Sequence, residues 1–167
     1  MSFDPYEKLA DYHANTVANI VQMFRDNEIV VESPIEKIFS VGMEIGFHMA
    51  GVYRIRSECN GSRFVYDMLS AKVIREAQKE IGQFRVDFLF TVEGKQGHLF
   101  KLVVECDGHD FHERTKEQAA KDRSRDRDLT MLGYTVIRFT GSEIYRKPAE
   151  CAEQAFMWIW NKSKECA

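Results

Sequence analysis

The segment Leu102–His112, "LVVECDGHDFH", changes from apolar to polar within a few residues. Its first residues are typical of a buried strand, and Glu105 and Asp107 follow where that strand ends. Side chains alternate along a strand, so the two carboxylates are predicted to project from the same face. The segment contains no lysine or arginine to neutralise them. It therefore predicts a buried strand that leads into a polar site.

A second predicted strand, Phe84–Thr91, carries Asp87 between Val86 and Phe88. The turn "VEGKQG" joins this strand to the next as a hairpin, which would bring Asp87 close to Glu105. Carboxylates crowded at the edge of an apolar sheet repel one another, so either some are protonated or a cation lies between them. Oxygen ligands suit Mg²⁺ or Mn²⁺ better than zinc. The alternative is that the carboxylates lie in solvent or accept hydrogen bonds from turn amides.

The remaining periodicity predicts an α/β protein with a mixed central β-sheet flanked by α-helices. Three strands in a row form a predicted meander, and a charged helix separates them from a fourth strand. The segment Gly51–Ser70 stays ambiguous, with "ECNGSR" typical of a turn. The predicted helices are Pro5–Arg25, a helix from Ser33 onward, Arg114–Leu132 and 148–164, and the predicted strands are Val73–Ala77, Phe84–Thr91, Leu99–Cys106 and 134–140.

The stretch "VESPIEKIF" contains the start of the second helix. Ser33 can cap this helix, Pro34 occupies its first position, and Glu36 falls where a capping-box glutamate belongs. Capping explains Glu36 without any chemistry. Glu36 also lies on the side of the helix that carries Phe39, which favours an inward orientation. Both interpretations stay open.

Two further candidates follow the strand that carries Glu105. His112 precedes the next helix, where an imidazole can act as a general acid or base, bind a metal, or simply lie on the surface. On that helix Asp122 shares a stripe with two leucines and is predicted to face the sheet. It can orient an imidazole, hold a metal-bound water, or form a structural ion pair with Arg125. Cys106 points away from the face of Glu105 and is predicted to lie in the core.

The composition limits the classes of function. A chain of 167 residues, 44% of them hydrophobic, has room for one folded domain with its own core. The net charge of −3 provides no global basic field, so any nucleic-acid binding must come from a local patch. The four cysteines form no C-x-x-C pair, which suits a reducing cytoplasm and argues against structural zinc. Because no secretory leader or membrane-length apolar run is visible, a cytoplasmic protein without membrane contact is expected.

Basic side chains on the helix after His112 are candidate nucleic-acid contacts, namely Arg114, Lys121, Arg123 and Arg127. Acidic neighbours partly offset these charges, so a solvated face of mixed charge is the alternative. Binding through so modest a patch should weaken quickly as salt is added.

Four motifs in order resemble the PD-(D/E)XK nuclease superfamily, in particular the very-short-patch-repair-like endonucleases and their uncharacterised bacterial relatives. The motifs are "SPIEKIF", "IGQFRVDFLF", "LVVECDGHDFH" and "KDRSRDRDLTMLGYTVIRFTGSEI", and they span roughly Ser33–Ile144. The resemblance implies a restriction-endonuclease-like fold in a single nuclease-like domain, residues 1–167. Within it we expect an N-terminal helical extension at 1–30, a nuclease core at 33–144 and a C-terminal helix at 148–164.

The resemblance also implies a metal-dependent phosphodiesterase with Mg²⁺, or Mn²⁺, as cofactor. Asp87 matches the metal-binding aspartate of the superfamily, and Glu105 matches its second acidic position. Asp107, followed by Gly108, matches the acidic-glycine pair of the uncharacterised relatives and is a further metal-ligand candidate. The backbone carbonyl of Cys106 matches a carbonyl that binds metal in the repair branch.

Three other positions are implied as catalytic or supporting residues. Glu36 matches the supporting glutamate of the first helix, His112 the catalytic histidine of the repair branch, and Asp122 the aspartate of the following helix. The sequence departs from the superfamily where Asp107 replaces its lysine, which makes His112 the better candidate for activating water. The zinc-binding residues of the repair enzymes have no counterpart, so no structural zinc is expected.

These observations lead to the hypothesis of a Mg²⁺-dependent endonuclease that hydrolyses phosphodiester bonds in DNA. A structure-selective or RNA-directed nuclease is the alternative among enzymes. A catalytically inert nucleic-acid-binding module on the same fold is the alternative outside them. Cutting both strands with one site per chain would favour a homodimer or two sequential nicks.

Overall fold

The computed structural model describes residues 5–25, 31–58, 62–68, 70–108 and 116–166. Their elements are, in chain order, α1 (Pro5–Arg25), α2 (Pro34–Met49), β1 (Arg54–Glu58), β2 (Arg63–Met68), β3 (Ala71–Ile81), β4 (Phe84–Gly94), β5 (Leu99–Asp107), α3 (Lys116–Met131), β6 (Thr135–Thr140), α4 (Gly141–Arg146) and α5 (Pro148–Glu165). Within these ranges no helix combines the length and the apolar character that crossing a bilayer requires.

The six strands form one sheet in their order along the chain, from β1 to β6. Strands β1 to β5 pair antiparallel with their successive neighbours, whereas β6 pairs in parallel with β5. A parallel pair needs a crossover connection, and α3 lies in that connection. The predicted α/β class with a mixed central sheet flanked by helices is therefore confirmed. The architecture is consistent with a restriction-endonuclease-like fold.

The meander is longer than the three strands that the sequence predicted. The ambiguous segment Gly51–Ser70 contributes β1 and β2, and β3 extends beyond the predicted Val73–Ala77. Strand β1, "RIRSE", shows no apolar alternation, because all its residues are exposed or half-buried. It lies at the edge of the sheet, where charged residues are common and pairing is needed on one side alone. The sequence pattern for a buried strand was therefore absent.

Helices cover the two faces of the sheet unequally. On one face α2 and α5 enclose a large apolar core, in which Phe39, Phe88 and Val104 are fully buried. On the other face α3 covers a small apolar cluster that includes Val103 and Leu129. The α3 face is thus the one where charged side chains lie beside the sheet, and the candidate site forms at its end.

Helix α3 is polar on nearly every side and has a single buried residue, Leu129. Leu132, which was predicted to share the stripe of Leu129, lies beyond the helix end and is 60% exposed. The helix stops before Gly133, as predicted, and the φ of +85° at Gly133 is the left-handed conformation typical of a residue after a helix. Because little apolar surface holds α3, its polar contacts with the sheet contribute to its position.

Side-chain caps mark the starts of two helices. Ser33 Oγ accepts a hydrogen bond of 3.2 Å from the backbone N–H of Glu36, as predicted for α2. The short helix α4 was not predicted, although a capping box of Thr140 and Glu143 opens it. This T-x-x-E pattern is a sequence signal for a helix start. Helix α4 carries the chain from β6 towards α5.

Candidate active site

Asp87 and Glu105 lie opposite each other on β4 and β5. The antiparallel register of the two strands runs to the Phe88–Val104 pair, and one further step sets Asp87 opposite Glu105. Asp87 Oδ2 accepts a hydrogen bond of 2.7 Å from the backbone N–H of Cys106. The hairpin therefore brings together two carboxyl groups that are far apart in the chain.

Burial and mutual repulsion act on these carboxyl groups. Glu105 is 4% exposed; burial, reinforced by the negative charge of Asp87, raises the pKa of Glu105 to about 7 despite the opposing charge of Arg125. Burial also raises the pKa of Asp87, and the negative charges of Glu36 and Asp107 add to that rise. Glu36, Asp87, Glu105 and Asp107 thus interact as one group, which we term the acidic cluster.

Two arginines from distant segments face the acidic cluster. Arg125 Nη2 on α3 donates to Glu105 Oε1 at 2.6 Å. Arg138 on β6 lies beside Glu105 in the parallel register and donates to Asp107 Oδ1 at 2.7 Å. A second bond of 2.7 Å joins Arg138 to Asp126 Oδ1 on α3. A structural ion pair between Arg125 and Asp122 was one alternative that the sequence offered. Arg125 instead reaches across to the sheet and pairs with Glu105.

Glu36 faces inward, as one of the two interpretations predicted, whereas the capping box is only half formed. Its backbone N–H donates to Ser33 Oγ, but its Oε2 accepts a 3.0 Å hydrogen bond from the backbone N–H of Glu32, the residue before the N-cap Ser33, whereas a capping box uses the N–H of the N-cap itself. The same oxygen accepts a 2.7 Å hydrogen bond from Gln78 Nε2 on β3. Its side chain is buried, with 5% exposure, and its charge reaches Asp87. Gln78 was not among the predicted site residues, because a glutamine within a strand carries no sequence signal for such a contact.

Cys106 and Asp122 occupy the positions that the sequence suggested, one in the core and one on α3. The Cys106 side chain lies in the apolar core on the α2 side, and burial raises the pKa of its thiol well above the usual value. Asp122 is half-buried on α3 and accepts a 3.1 Å hydrogen bond from Gln118 Nε2. The predictions for His112 and Arg114 fall outside the described residues.

The other predicted nucleic-acid contacts, Lys121, Arg123 and Arg127, are exposed on α3. Helical spacing places Arg123 and Arg127 on the side of the helix roughly opposite the buried Leu129. They therefore face away from the sheet and from the acidic cluster. A nucleic acid that contacts them must extend around the outer side of α3.

The acidic cluster has oxygen donors of the kind that Mg²⁺ and Mn²⁺ prefer. Among the residues that the structure describes, however, no group of three or more histidine, cysteine, aspartate or glutamate side chains is arranged to hold a metal ion. Arg125 and Arg138 contribute positive charge at the carboxylates. A cavity of about 540 Å³ opens beside the cluster, with Glu36 and Tyr145 in its lining. Glu36 is the member of the acidic cluster that lines this cavity.

The chain matches a family model and is similar over part of its length to a curated protein. The family model REase_MTES_1575 matches residues 62–159, which is more than half of the chain and includes Asp87, Glu105, Asp107 and Asp122 but not Glu36. An uncharacterised protein of Haemophilus influenzae (strain ATCC 51907 / DSM 11121 / KW20 / Rd) is 34% identical over 61 residues, which cover 36% of this chain.

The aligned segment spans 49% of the Haemophilus protein, so the chain spans about half the length of that curated relative. No solved structure matches the chain. The family match, together with the mixed sheet, indicates a nuclease-like function. The chain belongs to the REase_MTES_1575 family, a restriction-endonuclease-like family.

Proposed function

We propose that the protein is a metal-dependent endonuclease that hydrolyses phosphodiester bonds in DNA, similar to the very-short-patch-repair enzymes. The observation that carries the proposal is the opposition of Asp87 and Glu105 within a buried acidic cluster, with the pKa of Glu105 raised to about 7. Burying several carboxyl groups together costs stability, and such perturbed groups occur most often at functional sites. A requirement for negative charge at this place explains the arrangement.

The carboxylate oxygens of the cluster are donors of the type that binds a divalent cation. Asp87 and Glu105 would hold the ion, with Asp107 and the backbone carbonyl of Cys106 as further oxygen ligands. The ion would supply positive charge that stabilises a phosphodiester as negative charge develops on it. Because Arg125 donates to Glu105 at 2.6 Å, its guanidinium and the cation would compete for the same carboxylate.

Other residues have acid-base and supporting roles in this proposal. His112 deprotonates the attacking water or protonates the leaving oxygen, which a histidine can do near neutral pH. Asp122, from the half-buried side of α3, orients that imidazole. Glu36 supports Asp87 from α2. The superfamily lysine is replaced by Asp107, so the acid-base role passes to the histidine.

DNA is the proposed partner, with RNA as the alternative substrate. The exposed Lys121, Arg123 and Arg127 would contact phosphates that flank the cleavage site, so binding should weaken with salt. A homodimer would place two sites on the two strands of a duplex, whereas a monomer would nick them in sequence. We propose a cytoplasmic location, consistent with the free state of the three cysteines that the structure describes, Cys106, Cys151 and Cys166.

The inert nucleic-acid-binding module remains a second candidate because of a specific observation. Arg125 and Arg138 already pair with Glu105 and Asp107 at 2.6 and 2.7 Å. A scaffold that had lost its cation could use arginines in this way to neutralise the remaining carboxylates. The replacement of the superfamily lysine by Asp107 points in the same direction.

One cleavage experiment separates these candidates. Purified protein is incubated with supercoiled plasmid, linear duplex, single strands and RNA in Mg²⁺, Mn²⁺ or EDTA. The matched variants are Asp87→Asn in the cluster and Asp67→Asn at an exposed position of β2. Metal-dependent nicking by the wild type and Asp67→Asn, abolished in Asp87→Asn, supports the endonuclease. Cleavage of RNA alone favours the RNA-directed enzyme, and binding without cleavage in every metal favours the inert module.

A further inference from the structure

Gln78 on β3 has an unusual backbone conformation at the acidic cluster. Among the residues that the structure describes, it is the one residue other than glycine with a positive φ, +51°. The left-handed region is unfavourable for a residue with a Cβ, and it persists where the surrounding structure enforces it. Gln78 stands opposite Asp87, because the Ala77–Phe88 and Lys79–Val86 pairs of β3 and β4 flank the two positions.

At this point the side chains of β3 and β4 stop alternating regularly between the two faces of the sheet. Regular alternation would place Ala77 and Ile81 on one face, yet Ala77 lies in the core under α2 and Ile81 in the cluster under α3. On β4, Phe88 and Val86 divide between the two cores in the same way. The left-handed residue thus marks a local switch in the pleat, next to Asp87.

The switch allows the Gln78 side chain to reach Glu36 on α2. Gln78 Nε2 donates to Glu36 Oε2 at 2.7 Å, and the backbone N–H of Glu32 donates to the same oxygen at 3.0 Å. Glu36 is buried and its charge acts on Asp87. Because two groups donate to the same oxygen, the orientation of the Glu36 carboxylate is restricted. Gln78 itself contacts Glu36, so it has no direct role with Asp87.

We propose that Gln78 is a positioning residue that holds the Glu36 carboxylate beside Asp87 for cation binding, and that its left-handed backbone is retained for this purpose. The inference rests on the proposed metal-dependent function. Hydrogen-bonding partners of groups around a metal commonly change its affinity by about 10–100-fold when they are removed. A residue kept for function in a strained conformation should also be replaceable without loss of stability.

The test uses two replacements on the full chain. Gln78→Gly removes the amide and suits the left-handed backbone, and Gln78→Asn tolerates that backbone but is one methylene too short to reach Glu36. Gln83→Gly, in the exposed turn after β3, is the control. Thermal unfolding is measured in EDTA, and the affinity for Mn²⁺ alone is measured by titration calorimetry.

The expected result is that both Gln78 variants bind Mn²⁺ at least tenfold more weakly, while Gln78→Gly unfolds at a temperature no lower than the wild type. A lower unfolding temperature with unchanged Mn²⁺ affinity overturns the proposal, since that outcome describes a purely structural glutamine. Retained affinity in Gln78→Asn overturns it as well, because the lost hydrogen bond would then be without effect.

A double-variant cycle tests the route of action. If Gln78 acts through Glu36, Gln78→Gly should weaken Mn²⁺ binding no further in a Glu36→Gln background. Additive weakening would overturn positioning through Glu36. Wild-type protein that neither binds Mn²⁺ nor cleaves nucleic acid overturns the metal-dependent function and this inference together. Tight Mn²⁺ binding by the wild type and both Gln78 variants overturns this inference alone.

Discussion

Replacing Glu105 by glutamine is expected to stabilise the metal-free protein at pH 8 and to change its stability little at pH 5. In the folded protein burial and the charge of Asp87 raise the pKa of Glu105 from its usual 4.5 to about 7, after the favourable charges of Arg125 and Arg138 are included. The folded state therefore binds this proton more tightly than the unfolded chain. As pH rises from about 4.5 through 7, the free energy of unfolding falls, because the folded state must give up that proton.

The magnitude follows from the size of the shift. One pKa unit corresponds to about 1.36 kcal/mol, so the rise to about 7 costs roughly 3 kcal/mol once Glu105 is ionised at pH 8. At pH 5 Glu105 is protonated in the folded state, and the remaining cost is below about 1 kcal/mol. The difference of about 2–3 kcal/mol corresponds to a change of about 5–10 °C in Tm for a chain of this length.

Thermal and urea unfolding in EDTA at pH 5 and pH 8 measure this effect. The variants are Glu105→Gln and the control Glu117→Gln at the exposed start of α3. At pH 8 the Glu105→Gln variant should be more stable to unfolding than the wild type, and the control variant should not. Adding Mn²⁺ at pH 8 should then stabilise the wild type more than Glu105→Gln. Equal stability of wild type and Glu105→Gln at pH 8, or the same difference at both pH values, would refute the electrostatic account of the acidic cluster.

Three further predictions concern the support of the site and its surroundings. A Cβ at Gly141 would lie 2.9 Å from the backbone oxygen of Asp107, so Gly141→Ala should lower the free energy of urea unfolding by about 1–3 kcal/mol. Gly46→Ala in α2, where an added Cβ meets no atom within 4 Å, should instead raise it by about 0.5–1 kcal/mol. Replacing Arg123 and Arg127 together by alanine should reduce the slope of log Kd for duplex DNA against log salt by about 2 in fluorescence anisotropy; an unchanged slope would remove the outer side of α3 from the interface.

The local patterns of the sequence predicted much of the fold. Apolar alternation and the "VEGKQG" turn predicted β4 and β5 as a hairpin, and the caps of α2 predicted its start at Pro34. These features depend on residues close together in the chain, where steric and hydrogen-bonding preferences act directly. The segment Gly51–Ser70 stayed ambiguous because an edge strand needs no buried face. The helix α4 was missed although its capping box was visible.

The carboxylates of the site were visible in sequence, whereas their partners were not. Alternation along β5 and the hairpin register place Asp87 opposite Glu105, so their convergence follows from local geometry. The pairing of Glu105 with Arg125 depends instead on how α3 lies across the sheet. The sequence of α3 shows almost no apolar stripe from which that orientation could be read.

The sequence alone determined most of the helices and strands and the convergence of Asp87 with Glu105, because both arise from preferences between near neighbours. The tertiary structure alone decided which cations face those acids, and it bent Gln78 into a left-handed conformation beside Asp87. Such contacts join segments that are far apart in the chain, and the local preferences of one segment carry no information about the other. Only the packing of the whole chain brings these groups within hydrogen-bonding distance.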